Sequence, residues 1–144
     1  MSSMSAFFKK NKVVKTNVFY PATKSLCGDD GQPLQWEIRA VPTKENEIIR
    51  TDCIKEVPVS GKPNQFRHKV DTSAYIGHLL AASVVFPDLL NAELQDSYGV
   101  KEPADLLKEM IDDPGEYDNF TEFVQNFNGF NISMREQVEE AKNS

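Results

Sequence analysis

The sequence is poor in the residues that usually carry chemistry: two cysteines, two histidines and one tryptophan in 144 residues. Cys27 and Cys53 lie far apart and neither belongs to a C-x-x-C pair, which excludes a zinc ribbon or a thioredoxin-like motif by spacing. Two separate thiols, Cys53 packed against a helix face, are the simpler reading than a disulfide. His68 and His78 have no E-x-x-H or H-x-x-x-H neighbour, so a metal site would need ligands gathered from distant segments. The seven glycines form neither a G-x-G-x-x-G nor a phosphate-binding G-x-x-x-x-G-K-[ST] pattern, and no G-x-S-x-G elbow occurs. Asp112-Asp113 adjoins Pro114-Gly115 and reads as a helix stop and restart, too solvated for acid–base work. No apolar run approaches the roughly 20 residues that span a bilayer. The longest, Leu79 to Phe86, stops at Pro87. MSSMSAFFKKNK lacks an apolar h-region and a small-residue cleavage site, so a cytoplasmic protein without a secretory signal is expected.

What is present is ordinary globular usage, 40% hydrophobic and 26% charged, enough apolar surface for one core. The charge is unevenly spread. Residues 1–87 hold 12 Lys and Arg against 8 Asp and Glu, net +4; residues 88–144 hold 4 against 14, net −10, together the −6 of the whole chain. An acidic second half repels nucleic acid and suits a basic protein partner. Phe7 and Phe8 beside Lys9, Lys10, Lys12 and Lys15 are a weak nucleic-acid cue, outweighed by a pI near 4.9.

Periodicity predicts an α+β fold: a small N-terminal antiparallel sheet with helices, about 1–70, and a mainly helical half, about 71–144, in a single domain. Ser5 caps a short terminal helix that must dock on something. KVVKTNVFYP reads as a strand, Lys24 to Pro33 as a glycine-rich loop, and Leu34 to Ala40 as a strand with Leu34, Trp36, Ile38 and Ala40 on its core face. The two strands make a hairpin. Thr43 caps a helix to Lys55 with Ile48, Ile49 and Cys53 inward, and the prolines of Val57 to Pro63 break the chain before a strand over Gln65 to Val70. Asp71 or Thr72 caps a helix to Val85, whose inner stripe is Tyr75, Ile76, Leu79, Leu80, Ser83 and Val84. From there only helices are expected: Ala92 to Tyr98 ending at Gly99, Pro103 to Ile111, Pro114 to Asn128 capped by Asp113, and a last one opened by the Ser133/Glu136 capping box and running to Lys142.

Tyr117, Phe120, Val124 and Phe127 fall on one helical face, widened by Phe123 and Phe130. Most of such a face is core, yet in a small chain part is left for a partner, with Phe123 at the edge. Phe120, Phe123, Phe127 and Phe130, with the terminal Phe7 and Phe8, are therefore the candidate partner-binding residues. Phe123→Asp is expected to weaken partner binding while leaving the melt nearly unchanged.

Particular strings add to this reading. FFKKNKVVK near the start, WEIRAV from Trp36 to Val41, AASVVFPDLLNAELQDSYGV from Ala81 to Val100, PGEYDNF from Pro114 to Phe120 and the NGF of Asn128 to Phe130 resemble, in the same order, the XkdN-like tail assembly chaperones of phages and prophages. The resemblance implies a non-catalytic protein without cofactor or metal, made in the host bacterial cytoplasm and absent from the mature virion. Such a protein coats the tape-measure protein, keeps it soluble and helps recruit tail tube subunits. Coating by many copies implies self-association. The ending EEAKNS fits the shorter of the two products that a frameshift gives in many such phages. Neither a nucleic-acid nor a membrane partner is implied. A structural tail or baseplate component retained in the particle is the alternative. A hydrolase or thiol enzyme comes third, and would require a pocket around His68, His78 or Cys53.

Overall fold

The computed structural model of the protein describes residues 3–130. Its centre is a three-stranded antiparallel sheet in the order β1–β2–β5, formed by β1 (Val18–Tyr20), β2 (Trp36–Ile38) and β5 (Val84–Phe86). Val18 stands opposite Ile38 and Tyr20 opposite Trp36, the hairpin that the alternation in Leu34 to Ala40 predicts. Trp36 and Ile38 point into the core and Glu37 points away, as a period of two requires. Leu34 lies before the paired residues and is 47% exposed, and of KVVKTNVFYP only the last three residues before Pro21 enter the sheet. The loop between the strands closes on a tight turn in which Gly31 adopts φ +78°, the Gly28 N–H donates to the Gln32 carbonyl and Asp30 accepts from the Gln32 N–H.

The third strand is a correction to the sequence reading. β5 comes from the half expected to be helical and pairs with β2 through Glu37↔Phe86 and Ile38↔Val84. The signal was present: Val84 and Val85 are β-branched, and Pro87 pushes Phe86 into extended backbone. A second strand escaped for a different reason. β3 (Ile54–Pro58) and β4 (Phe66–Val70) form a separate two-stranded ribbon in full register from Ile54↔Val70 to Pro58↔Phe66. Nearly all of the ribbon is exposed, so it carries no core alternation, and Pro58 sits at a strand end where its missing N–H removes no interior bond. Gly61 and Asn64, both at positive φ, make the turn.

Among the described residues five helices complete the architecture: α1 (Thr43–Asp52), α2 (Thr72–Ser83), α3 (Ala92–Tyr98), α4 (Pro103–Met110) and α5 (Pro114–Phe127). The caps follow the sequence. Asp71 accepts the Ala74 N–H, Asn91 the Leu94 N–H, and Asp113 those of Gly115 and Glu116. Gly99 ends α3 in the left-handed conformation. Thr43 is the first helical residue of α1 rather than its cap, and that helix stops at Asp52, earlier than expected. Its inward face is Asn46, Ile49 and Cys53; Ile48, a third of a turn away, is 62% exposed, not core. The buried Asn46 side chain accepts the Tyr75 hydroxyl, tying α1 to α2. The last predicted helix, from Ser133, lies outside the described residues.

The inner sheet face packs on α2, α4 and α5. Trp36, Ile38, Leu80, Leu106, Leu107, Phe120 and Val124 are at most 1% exposed and belong to one apolar cluster. No helix among the described residues is long and apolar enough to cross a membrane. The fold is α+β.

Candidate partner-binding surfaces

Of the six candidate residues, the structure buries one outright. Phe120 is 0% exposed, stacked on Tyr20 (centroids 5.8 Å) and edge-on to Trp36 (6.1 Å), so it is a core residue and unavailable to a partner. Phe123 is half-buried: its ring stacks on Tyr20 at 4.2 Å and parallel to Phe127 at 6.3 Å. Phe127 is half-buried with the Lys15 ammonium 5.1 Å from its ring centre, and Lys15 also donates to the Phe127 carbonyl. Phe130 is half-buried. The α5 aromatics are therefore a shelf on which β1 rests. An aspartate at 123 would break two ring contacts, so the expectation of an unchanged melt does not hold.

A clamp fixes this shelf. Glu116 in the first turn of α5 accepts the hydroxyl of the buried Thr23 at 2.7 Å and the Lys24 N–H at 2.8 Å. Burial, together with the carboxylates of Glu116 and Glu122, raises the Tyr20 pKa above its usual value.

The exposed aromatics lie elsewhere. β1 and β5 flank β2, so the outward residues Phe19, Glu37 and Phe86 form one row across the sheet's outer face, the two phenylalanines each 64% exposed. Strands about 4.8 Å apart set the rings roughly 10 Å from one another, spaced about as widely as a helix is thick. Only Glu37 among the three is held by a side-chain bond, from the Asn17 amide at 2.8 Å. Sequence reasoning missed both. Phe19 was legible as the odd member between inward Val18 and Tyr20; Phe86 was hidden with β5.

The N-terminal segment is a second exposed element. Two single 3-10 turns, Met4–Phe7 and Lys9–Asn11, replace the expected short helix, and every residue from 3 to 17 is exposed. Phe7 is 77% and Phe8 53% exposed.

A cleft of about 480 Å³ opens between the end of α1, α2 and the segment after β5. Ala81, Val84, Leu89 and Leu90 line it with Ile49, and Asp52, Asp88 and Glu102 stand around it. His78 also borders it. His68 instead sits on the exposed ribbon, and Cys53 is buried at the end of α1. Burial and the nearby Asp52 and Asp71 push the Cys53 thiol up, away from the thiolate that a nucleophile needs. Among the described residues no three His, Cys, Asp or Glu side chains are grouped to hold a metal ion.

Residues 4–142 match the family described as Phage XkdN-like tail assembly chaperone protein. The chain is 22% identical to the phage-like element PBSX protein XkdN of Bacillus subtilis strain 168, over 96% of this chain and 93% of that one. It is 21% identical to protein YqbN of the same strain, over 97% and 93% respectively. The crystal structure of YqbN shares the fold with a TM-score of 0.74 at 18% identity, covering 91% of this chain and 99% of that one.

Proposed function

Since this chain belongs to the XkdN-like phage tail assembly chaperones, we propose that it binds the tape-measure protein of a phage or prophage tail and keeps it soluble until the tube forms around it. The action is that of a non-catalytic holdase in the host bacterial cytoplasm, released before the particle is complete, with the tail tube protein as the next contact. The observation that carries this reading is the outer sheet face. A tape-measure protein is a long helical chain with apolar stripes, and Phe19 and Phe86 present two rings at the spacing that grips a helix from either side. The rings stand on paired strands whose opposite face is the core, so the surface is preorganised. The acidic second half keeps the protein soluble while it holds an apolar client.

The test is co-expression with the tape-measure protein of the same tail gene cluster, followed by size-exclusion chromatography of the soluble fraction. The partner should be insoluble alone and co-elute with this chain. Phe19→Ser/Phe86→Ser should abolish co-elution while leaving the circular-dichroism melt within about 2 °C of wild type, because both rings already face solvent. A partner whose solubility ignores this chain, with the chain recovered in purified tails, would overturn the holdase reading in favour of a retained component.

A further inference from the structure

Among the described residues nothing outside the N-terminal arm holds it ahead of Lys15. From residue 3 to residue 14 every side chain is exposed, including Met4, Phe7, Phe8, Val13 and Val14. Its hydrogen bonds are all internal, such as Phe8 N–H to Ser5, Lys12 N–H to Lys9 and the Asn11 amide to Ser5. The first tie to the body is Lys15 on Phe127. An arm with five large apolar side chains in water is under pressure to find cover. Its sequence also specifies what kind: two aromatics, then three cations at Lys9, Lys10 and Lys12.

The cleft beside β5 is the complement. Its accessible apolar part is Ala81, Val84 and the 74%-exposed Leu90, with the buried Leu89 beneath, and its three carboxylates are Asp52, Asp88 and Glu102. Ion pairs join Arg39 to Glu45 and Lys55 to Asp71, so among the described residues neither the three cations nor the three carboxylates are paired. β5 lies at the opposite edge of the sheet from β1, which carries the arm. Twelve residues reach about 40 Å when extended, ample to cross to a neighbouring molecule.

We propose that the N-terminal arm of one copy docks in this cleft of a second copy, with Phe7 and Phe8 on Val84 and Leu90 and the lysines against Asp52, Asp88 and Glu102. Exchange of arms between two copies closes a dimer; passing each arm onward builds a chain of copies. The surface differs from the Phe19/Phe86 face and the contact needs no client, so it stands or falls separately from the holdase reading.

Sedimentation velocity on the full chain, with no other protein present, tests it. Wild type should self-associate reversibly, more weakly as salt rises. Lys9→Glu/Lys10→Glu/Lys12→Glu and, separately, Asp52→Lys/Glu102→Lys should each lower the association constant by on the order of a hundredfold. An equimolar mixture of the two reversed chains should associate again, since each then meets an opposite charge. Phe7→Ser/Phe8→Ser, which touches no buried residue and cannot disturb folding, should also be monomeric. A wild type that stays monomeric, as docking of each arm in its own chain's cleft would leave it, association that survives the arm variants, or reversed chains that fail to recover on mixing would each overturn the proposal.

Discussion

Phe120→Ala tests whether α5 is the element that closes the core. The side chain is 0% exposed and meets Tyr20 and Trp36 ring to ring. Truncating a fully buried phenylalanine costs about 3–5 kcal/mol, the lost transfer energy plus the cavity, and two aromatic contacts place this site toward the upper end, about 4 kcal/mol. In a chain of this length 1 kcal/mol moves the midpoint by about 4 °C, so the melt should fall by roughly 15 °C. Phe120→Leu, which keeps most of the volume, should lose less than half as much. Phe123→Asp supplies the comparison: two ring contacts at a half-buried site are worth about 1–3 kcal/mol, a drop near 8 °C. Urea unfolding is followed by the fluorescence of Trp36, the sole tryptophan, which packs on Phe120 itself. A Phe120→Ala variant within about 1 kcal/mol of wild type, or one no weaker than Phe123→Asp, would refute the assignment of Phe120 to the core.

Three further outcomes are expected. Glu116→Gln should bring the Tyr20 ionisation down toward the ordinary tyrosine value in an alkaline absorbance titration, leaving only the part due to burial and Glu122. Because the folded tyrosine pKa is raised, its stabilisation is complete below about pH 10 and lost as pH rises through the folded value, so the variant's stability should fall off less steeply there. Asp71 has a lowered pKa, held down first by the Ala74 N–H and then by Lys55, so its contribution is present above the ordinary aspartate range and disappears as pH falls through the folded value. Asp71→Asn, which still caps α2, should therefore flatten the acid limb of the stability profile, and an unchanged acid limb would refute the assignment. Gly99→Ala, at φ +73°, should cost about 1 kcal/mol in the same urea assay although nothing crowds the site.

The elements legible in the sequence were those whose signal is local. Asp71, Asp113 and Gly99 act on their own helix ends, and Trp36 and Ile38 alternate with residues beside them in the chain. The elements that escaped depend on distant partners or on the lack of any. Val84 to Phe86 becomes a strand because β2 offers it an edge, and the preceding apolar helix masks where the period changes. Of the ribbon, β4 was legible as the strand over Gln65 to Val70, whereas its partner β3 escaped because it packs on little and so shows no buried face. The same limit affects the surfaces: helical spacing placed Phe120, Phe123 and Phe127 together without telling which ring lies beneath β1, and Phe19 and Phe86 meet only through β2.

The late arrival of β5 orders events during synthesis. Ile38 must wait for Val84, and the inner faces of Trp36 and Ile38 must wait longer, for Phe120 and Val124. At roughly 5–20 residues per second, several seconds separate the appearance of the hairpin from that of the helix that covers it. A ribosome stalled before α5 thus holds a chain with an open core, which closes only after Phe120 and Val124 have been added.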